Sequence, residues 1–279
     1  SHAAEPGLHT DRAFIAVSQP SAESHQISNP PVTPALSQPS TLLYPRWPWL
    51  QPVQWLRAAF IEIAVRPLVR LLAKPRVIAP PSLDAGVSEP MLIICNHVTT
   101  YDGPLIQYAL PGSMRRHIAV AMSGEMLEDF RHFRNPEWPV GRRGFYLPGP
   151  FAWLALTALF NVFPLPRSRD FQRSFAHAGK ALDRGFHVLV FPEGTRSDTG
   201  QLARFRPGIG LLVKQAKAPV LPVALRGLGE LKVRGRGWFR SGTLEIRVGS
   251  PVRFGPEATE SAITERLHQE IADLLQAAD

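Results

Sequence analysis

Two short apolar runs, residues 91–95 and 188–190, each pass directly into a polar stretch, and this arrangement constrains the fold more than any other feature of the chain. The first run, Met-Leu-Ile-Ile-Cys after Pro90, is short and continuous, which predicts a buried strand. It delivers Asn96 and His97, with Asp102 five positions beyond the imidazole. The Thr-Thr-Tyr between them and the Gly-Pro that follows predict a tight turn into a helix reaching about Leu110, a path that folds Asp102 back towards His97. A histidine held by a carboxylate is the core of a general base, and in α/β proteins catalytic groups gather at the carboxyl ends of strands. A strand-end histidine capped by a turn aspartate gives the same pattern, so the pair alone does not establish catalysis. The second run, Val-Leu-Val, reaches Phe191, Pro192, Glu193, Gly194, Thr195, Arg196 and Ser197. Two polar motifs at two strand ends point to one crevice.

Taken together, Asn-His-x4-Asp and Phe-Pro-Glu-Gly-Thr-Arg-Ser resemble the glycerolipid acyltransferase family that includes 1-acylglycerol-3-phosphate and other lysophospholipid acyltransferases. The resemblance runs over residues 45–255 and implies an α/β fold, a mixed sheet flanked by helices. The alternation of strand and helix patterns agrees with it independently. Residues 161–167, Asn-Val-Phe-Pro-Leu-Pro-Arg, look like the family's second motif, usually Gly-x-x-Phe-x-Asp-Arg. The final Arg167 is kept, with Arg169 close by, but Asn161 replaces the usual Gly, Pro164 an aromatic and Pro166 the Asp. Residues 200–208 resemble the segment after the Glu-Gly-Thr-Arg loop, with Arg206 where Lys is frequent, and residues 218–223 resemble a Pro-bracketed strand expected to line the acyl pocket. A plain edge strand is the other reading of that stretch.

The chemistry of these residues supports a phosphate cradle. Gly194 allows close backbone approach, Thr195 offers a hydroxyl, and Arg196, like Arg167, carries a planar fork suited to phosphate. Glu193 stands at the head of that loop, and an ordinary strand-to-loop turn is its alternative reading. Gly208 opens a helix to about Lys217, and a helix amino terminus beside Arg206 favours an anion. The implied reaction moves a fatty acyl group from acyl-CoA or acyl carrier protein to the hydroxyl of lysophosphatidic acid; the alternatives are the same chemistry on another lysolipid or polar acceptor, or a non-catalytic membrane-binding domain that keeps the fold. His97 would serve as base and Asp102 would fix its tautomer. No P-loop, G-x-S-x-G elbow, dinucleotide fingerprint or H-E-x-x-H motif is present, so the reading calls for no metal and no cofactor.

Charge narrows the partners. The 279 residues carry a net +8, which points to anionic partners: phospholipid headgroups, phosphorylated substrates or nucleic acid. Nucleic acid is disfavoured, because zinc-ligand spacing and RNA-recognition signatures are missing. Much of the excess falls between residues 226 and 253, with seven basic residues against Glu230 and Glu245. Arg142 and Arg143 mark a second basic loop. The single cysteine, Cys95, excludes an intrachain disulfide, fits a reducing compartment, and reads as a small buried hydrophobe in preference to a nucleophile.

Residues 1–41, rich in Ser, Pro, Ala, Gln and His, predict a disordered tail or linker, and without a signal peptide or initial Met the start is expected to be a fragment boundary. Similar domains occur fused after acyl-activating ligases, an origin this tail would fit. From residue 42 to 75 tryptophans precede an apolar run broken by Arg57, Glu62, Arg66 and Arg70. It predicts two amphipathic helices, divided at Pro67 and lying on a membrane with arginines towards headgroups, or else an ordinary helix packed on the core. Residues 76–279 form the acyltransferase domain in this reading, at the cytoplasmic face of a membrane, peripheral or monotopic. The run 151–160 is too short to span a bilayer and predicts a buried or half-embedded helix. Helical spacing predicts amphipathic helices at 171–184 and at the C terminus, and residues 243–248 alternate like a half-exposed strand.

Overall fold

The structure, a computed structural model, describes residues 42–84, 89–135, 146–166, 171–231 and 243–277. Seven strands form one sheet: β1 (Arg76–Ile78), β2 (Leu92–Cys95), β3 (Ile118–Ser123), β4 (Val162–Leu165), β5 (His187–Val190), β6 (Val220–Arg226) and β7 (Glu245–Val248). Their order is β1-β7-β6-β2-β5-β3-β4. The five from β6 to β4 are mutually parallel, β7 runs antiparallel to β6, and β1 is parallel to β7, so the sheet is mixed as expected. Parallel strands covered on both faces read as continuous apolar runs. β2 shows why: Ile93 and Cys95 enter one core with Leu189 and Leu221, whereas Leu92 and Ile94 enter the other with Val188 and Val190. Each such side chain contributes about 1.5–3 kcal/mol by leaving water, which sets the register of the central strands.

One face carries helices Gln51–Phe60, Arg66–Leu72, Asp102–Ala109 and Gly149–Phe160, and the other carries Phe171–Leu182, Gly208–Ala216 and Glu260–Gln276. After β2 the chain turns to the first face; after the neighbouring β5 it turns to the second. Adjacent parallel strands that diverge in this way leave a crevice beyond their carboxyl ends. Both polar motifs open into that crevice.

Pro67 does not divide the N-terminal segment in two. A π-helical turn, Ile61–Val65, joins Gln51–Phe60 to Arg66–Leu72, with the Arg66 amide bonded to the Ile61 carbonyl. The wider turn and the proline's place in the first turn of Arg66–Leu72 absorb its missing N–H. Nor do all the arginines face outwards. Arg57 is fully buried, donating from Nε to the Ala158 carbonyl (3.1 Å) and from Nη2 to the Pro48 carbonyl (2.7 Å), and burial pulls its pKa down to about 10. Arg66 is drawn to Glu62 (2.8 Å), which Arg115 also reaches (3.0 Å). Only Arg70 keeps an exposed position of the three.

Two strand expectations change. β6 is central, between β7 and β2, and its residues Leu221, Val223 and Leu225 pack in the first core, so it is not an edge strand. β7 is buried throughout because Glu245 and Arg247 pair with each other (3.0 Å) under the last helix, where Arg247 also caps the Ala277 carbonyl (2.7 Å). Part of the basic stretch is therefore structural; residues 232–242, like the tail 1–41, Arg142 and Arg143, lie outside the described residues. The amphipathic helices follow the pattern, with Phe175, Ala178 and Leu182 buried in one and Ile263, Leu267 and Ile271 in the other. The Thr259 hydroxyl caps the latter at the Ala262 amide (3.2 Å).

Candidate active site

The carboxyl end of β2 turns sharply through residues 96–101 before helix Asp102–Ala109, and the turn is built around one buried carboxylate. Asp102 Oδ2 accepts from the amides of Val98 (2.7 Å) and Thr99 (3.0 Å), and Oδ1 from the Thr99 hydroxyl (2.6 Å). The same Oδ2 lies 2.8 Å from Nδ1 of His97. A carboxylate in the first helical turn suits the positive end of the helix dipole. With Nδ1–H donating to Asp102, the lone pair of His97 stands on Nε2. The imidazole is half-buried, and the Phe191 ring stacks on it at 4.2 Å, an apolar wall that limits the ring's freedom to turn.

The second motif meets the first through the backbone. Glu193 Oε1 accepts from the His97 amide (2.7 Å) and Oε2 from the Ala203 amide (3.0 Å), while the Ser197 amide donates to the His97 carbonyl (2.7 Å). Burial pushes the Glu193 carboxyl above the usual carboxylate range, an effect opposed by those two amides. Gly194 has φ +72° and a Cβ there would collide with the Arg206 side chain, so the close passage of Arg206 requires glycine. Arg206 Nε donates to the Glu193 carbonyl (3.3 Å). Thr195, Arg196 and Arg206 are exposed along this rim. The structure thus brings His97, Asp102, Glu193, Gly194 and Arg206 together, with Thr195 and Arg196 in the same loop; Arg167 and Arg169 lie outside the described residues.

Three contributors carried no assigned role in the sequence. Asn96, 1% exposed, bonds both backbone groups of Leu225 (2.8 and 3.0 Å), clamping the end of β2 to β6. Its signal was a polar residue directly at the end of an apolar run. Thr99 and the stacking face of Phe191 had no signal beyond membership of the motifs. Cys95, by contrast, is buried as expected, and burial raises its thiol pKa well above the ordinary value, the opposite of what activates a nucleophilic cysteine. Among the described residues no group of His, Cys, Asp and Glu is arranged to hold a metal.

A paired imidazole thus stands at the carboxyl ends of the central strands, beside a basic rim. The chain belongs to the acyltransferase family, whose model, described as Acyltransferase, matches residues 74–226. Among its relatives are the 1-acyl-sn-glycerol-3-phosphate acyltransferases of Pseudomonas aeruginosa (38% identical over 116 residues, 39% of this chain and 44% of that protein) and of Brassica napus chloroplasts (26% over 122 residues, 43% and 35%). The match therefore spans less than half of either relative. The fold is similar to the crystal structure of the 1-acyl-sn-glycerophosphate acyltransferase PlsC of Thermotoga maritima, with a TM-score of 0.54 and 20% identity over 80% of this chain and 78% of that one.

Proposed function

We propose that this protein transfers a fatty acyl group from a thioester donor, acyl-CoA or acyl carrier protein, to the free hydroxyl of lysophosphatidic acid, giving phosphatidic acid. The observation that carries this reading is the 2.8 Å contact between His97 Nδ1 and the buried Asp102 carboxylate at the crevice. Nε2 of His97 takes the hydroxyl proton as the acceptor oxygen attacks the thioester carbonyl. Collapse of the tetrahedral oxyanion breaks the C–S bond, and the imidazolium returns its proton to the departing thiolate. Asp102 holds the tautomer and offsets the imidazolium charge. No covalent enzyme intermediate is needed. Arg206, with Arg196 and Arg167, supplies positive charge for the acceptor phosphate.

The apolar outer face of the helices lies on the membrane in this reading. Trp55, Leu56, Ile63, Leu68, Leu71 and Phe151 are all more than half exposed, a density unusual for a surface bathed in water. Among the described residues no helix is long and apolar enough to cross a bilayer. The proposed contact is peripheral or monotopic, at the cytoplasmic face. A different lysolipid acceptor is the second reading, favoured by Pro166 where the family's second motif has an acid. The test is release of free CoA from palmitoyl-CoA with lysophosphatidic acid, glycerol 3-phosphate or lysophosphatidylcholine, for the wild type and His97→Ala. Release that needs both lysophosphatidic acid and His97 is expected; release with another acceptor would select the second reading, and undiminished release by His97→Ala would remove the base.

A further inference from the structure

The exposed members of the second motif, Thr195 and Arg196, suggest substrate binding for the whole loop, yet the Glu193 side chain is placed differently. It is 4% exposed, and each carboxylate oxygen already accepts a backbone amide: His97 at 2.7 Å and Ala203 at 3.0 Å. The link is reciprocal, since the carbonyl of His97 accepts from the Ser197 amide at 2.7 Å. Both polar groups of the His97 backbone are thus held by the loop that follows β5. On the far side of that loop the Arg206 amide returns to the Pro192 carbonyl (2.9 Å). Burying a carboxylate is costly unless hydrogen bonds compensate, and here the compensation comes from two amides on separate segments.

We propose that Glu193 is a positioning residue, whose carboxylate pins the His97 peptide to the segment of Ala203 and Arg206 and so fixes where Nε2 meets the acceptor hydroxyl, without binding the acceptor itself. Acyl transfer needs the base within hydrogen-bond reach of a hydroxyl whose lipid is held elsewhere, at the basic rim. A rigid bridge between base and rim meets that need, because misplacement by about 1 Å can cost a hundredfold in rate. The geometry separates two effects that a substrate-binding glutamate would combine. Loss of the clamp moves the base and lowers kcat, whereas loss of a substrate contact raises the acceptor KM.

The inference rests on the acyl-transfer reading, and two measurements keep the claims apart. The first is steady-state kinetics of Glu193→Gln and Arg206→Gln, varying lysophosphatidic acid at saturating palmitoyl-CoA. The Gln variant keeps one acceptor oxygen and turns an NH2 towards the other amide. Its kcat should fall about a hundredfold with acceptor KM within about twofold of wild type, whereas Arg206→Gln should raise that KM. A raised KM with kcat retained in Glu193→Gln would overturn the assignment. The second is hydrogen exchange of the wild-type protein, which needs neither turnover nor a folded variant. The His97 and Ala203 amides should exchange far more slowly than the amide of exposed Thr195. Rapid exchange at both would overturn the clamp even in an active enzyme; slow exchange in a protein that transfers to no lysolipid would leave the clamp standing and remove the reading of function.

Discussion

Asp102 concentrates more of the site than any other single residue, because one carboxylate both shapes the turn and holds the ring. Two amides, a hydroxyl and an imidazole converge on it with no exposure to solvent. In Asp102→Asn one oxygen is replaced by an NH2 that faces donors, and Nδ1–H of His97 loses the acceptor that fixes its tautomer. The kcat should fall on the order of a thousandfold or more, as the loss of the acid from a His-Asp pair does elsewhere. The same change should lower stability by about 2–4 kcal/mol in urea denaturation, since buried donors are left unmatched. Thr99→Val removes the 2.6 Å hydroxyl contact to Asp102 and the acceptor of the Tyr101 amide (3.1 Å). It should cost about 1–2 kcal/mol and lower kcat far less, so measuring both variants separates the shape of the turn from the chemistry of the ring.

At the scale of elements, the departures from the family's second motif become intelligible. Asn161 ends helix Gly149–Phe160 in the left-handed region, φ +51°, where glycine is the common choice and asparagine the next. Its side chain adds an acceptor for Trp49 Nε1 (3.1 Å) and a donor to the Ile118 carbonyl (3.2 Å). Asn161→Ala should be less stable than Asn161→Gly by about 1–2 kcal/mol, the cost of the left-handed backbone for an L residue, and urea midpoints of the two would check it. Pro164 sits on the edge strand β4, where among the described residues no further strand asks for its missing N–H. Periodicity and the strand-end position of the motifs made the helices, the sheet class and the His97–Asp102 pair legible in the sequence. What pattern could not disclose was pairing across the chain. The Arg57 cap of a helix 101 positions away, the Arg247 cap of Ala277 and the Asn96 clamp on Leu225 all join residues that only the fold makes neighbours. His187 is another such link: its Nδ1 accepts the Met91 amide (3.2 Å), tying the start of β5 to the entrance of β2. Burial lowers its pKa to about 4, aided by His117, and burial likewise lowers His177 to about 4, aided by Arg46 and Lys180. Unfolded histidine titrates near 6.5, so between those values the unfolded chain binds more protons than the folded one. Stability should therefore be complete above about pH 6.5 and decline towards pH 4, by at most about 3 kcal/mol for each histidine. Urea titrations at pH 7, 6, 5 and 4 should show that decline, with a shallower slope in His187→Asn.

The whole molecule relates its apolar face to its crevice. Helix Asp102–Ala109, which starts at the aspartate of the site, packs against Arg66–Leu72 on the sheet face that also carries Gly149–Phe160. Tyr101, 45% exposed, directly precedes that helix. In the proposed function a lipid drawn from that apolar surface presents its hydroxyl to His97 while its phosphate stays near the rim of Arg196 and Arg206. A protein of this design should bind vesicles before it binds substrate. The outer face is apolar at Trp55 and Leu71, 69% and 71% exposed, and its basic residues include exposed Arg70 and Lys74. Each large apolar side chain contributes about 1.5–3 kcal/mol when fully removed from water, and less when it enters only the headgroup boundary. The double variant Trp55→Ser/Leu71→Ser should therefore partition to phosphatidylglycerol-containing vesicles at least tenfold more weakly in flotation. Its urea midpoint should stay near that of the wild type, because neither side chain is in the core. Turnover of lysophosphatidic acid in detergent-free vesicles should fall with partition, while turnover in mixed micelles, where substrate comes to the enzyme, should be kept. Unchanged flotation would show that this face meets something other than lipid; unchanged flotation with lost micellar turnover would place Trp55 and Leu71 in the site instead of the dock.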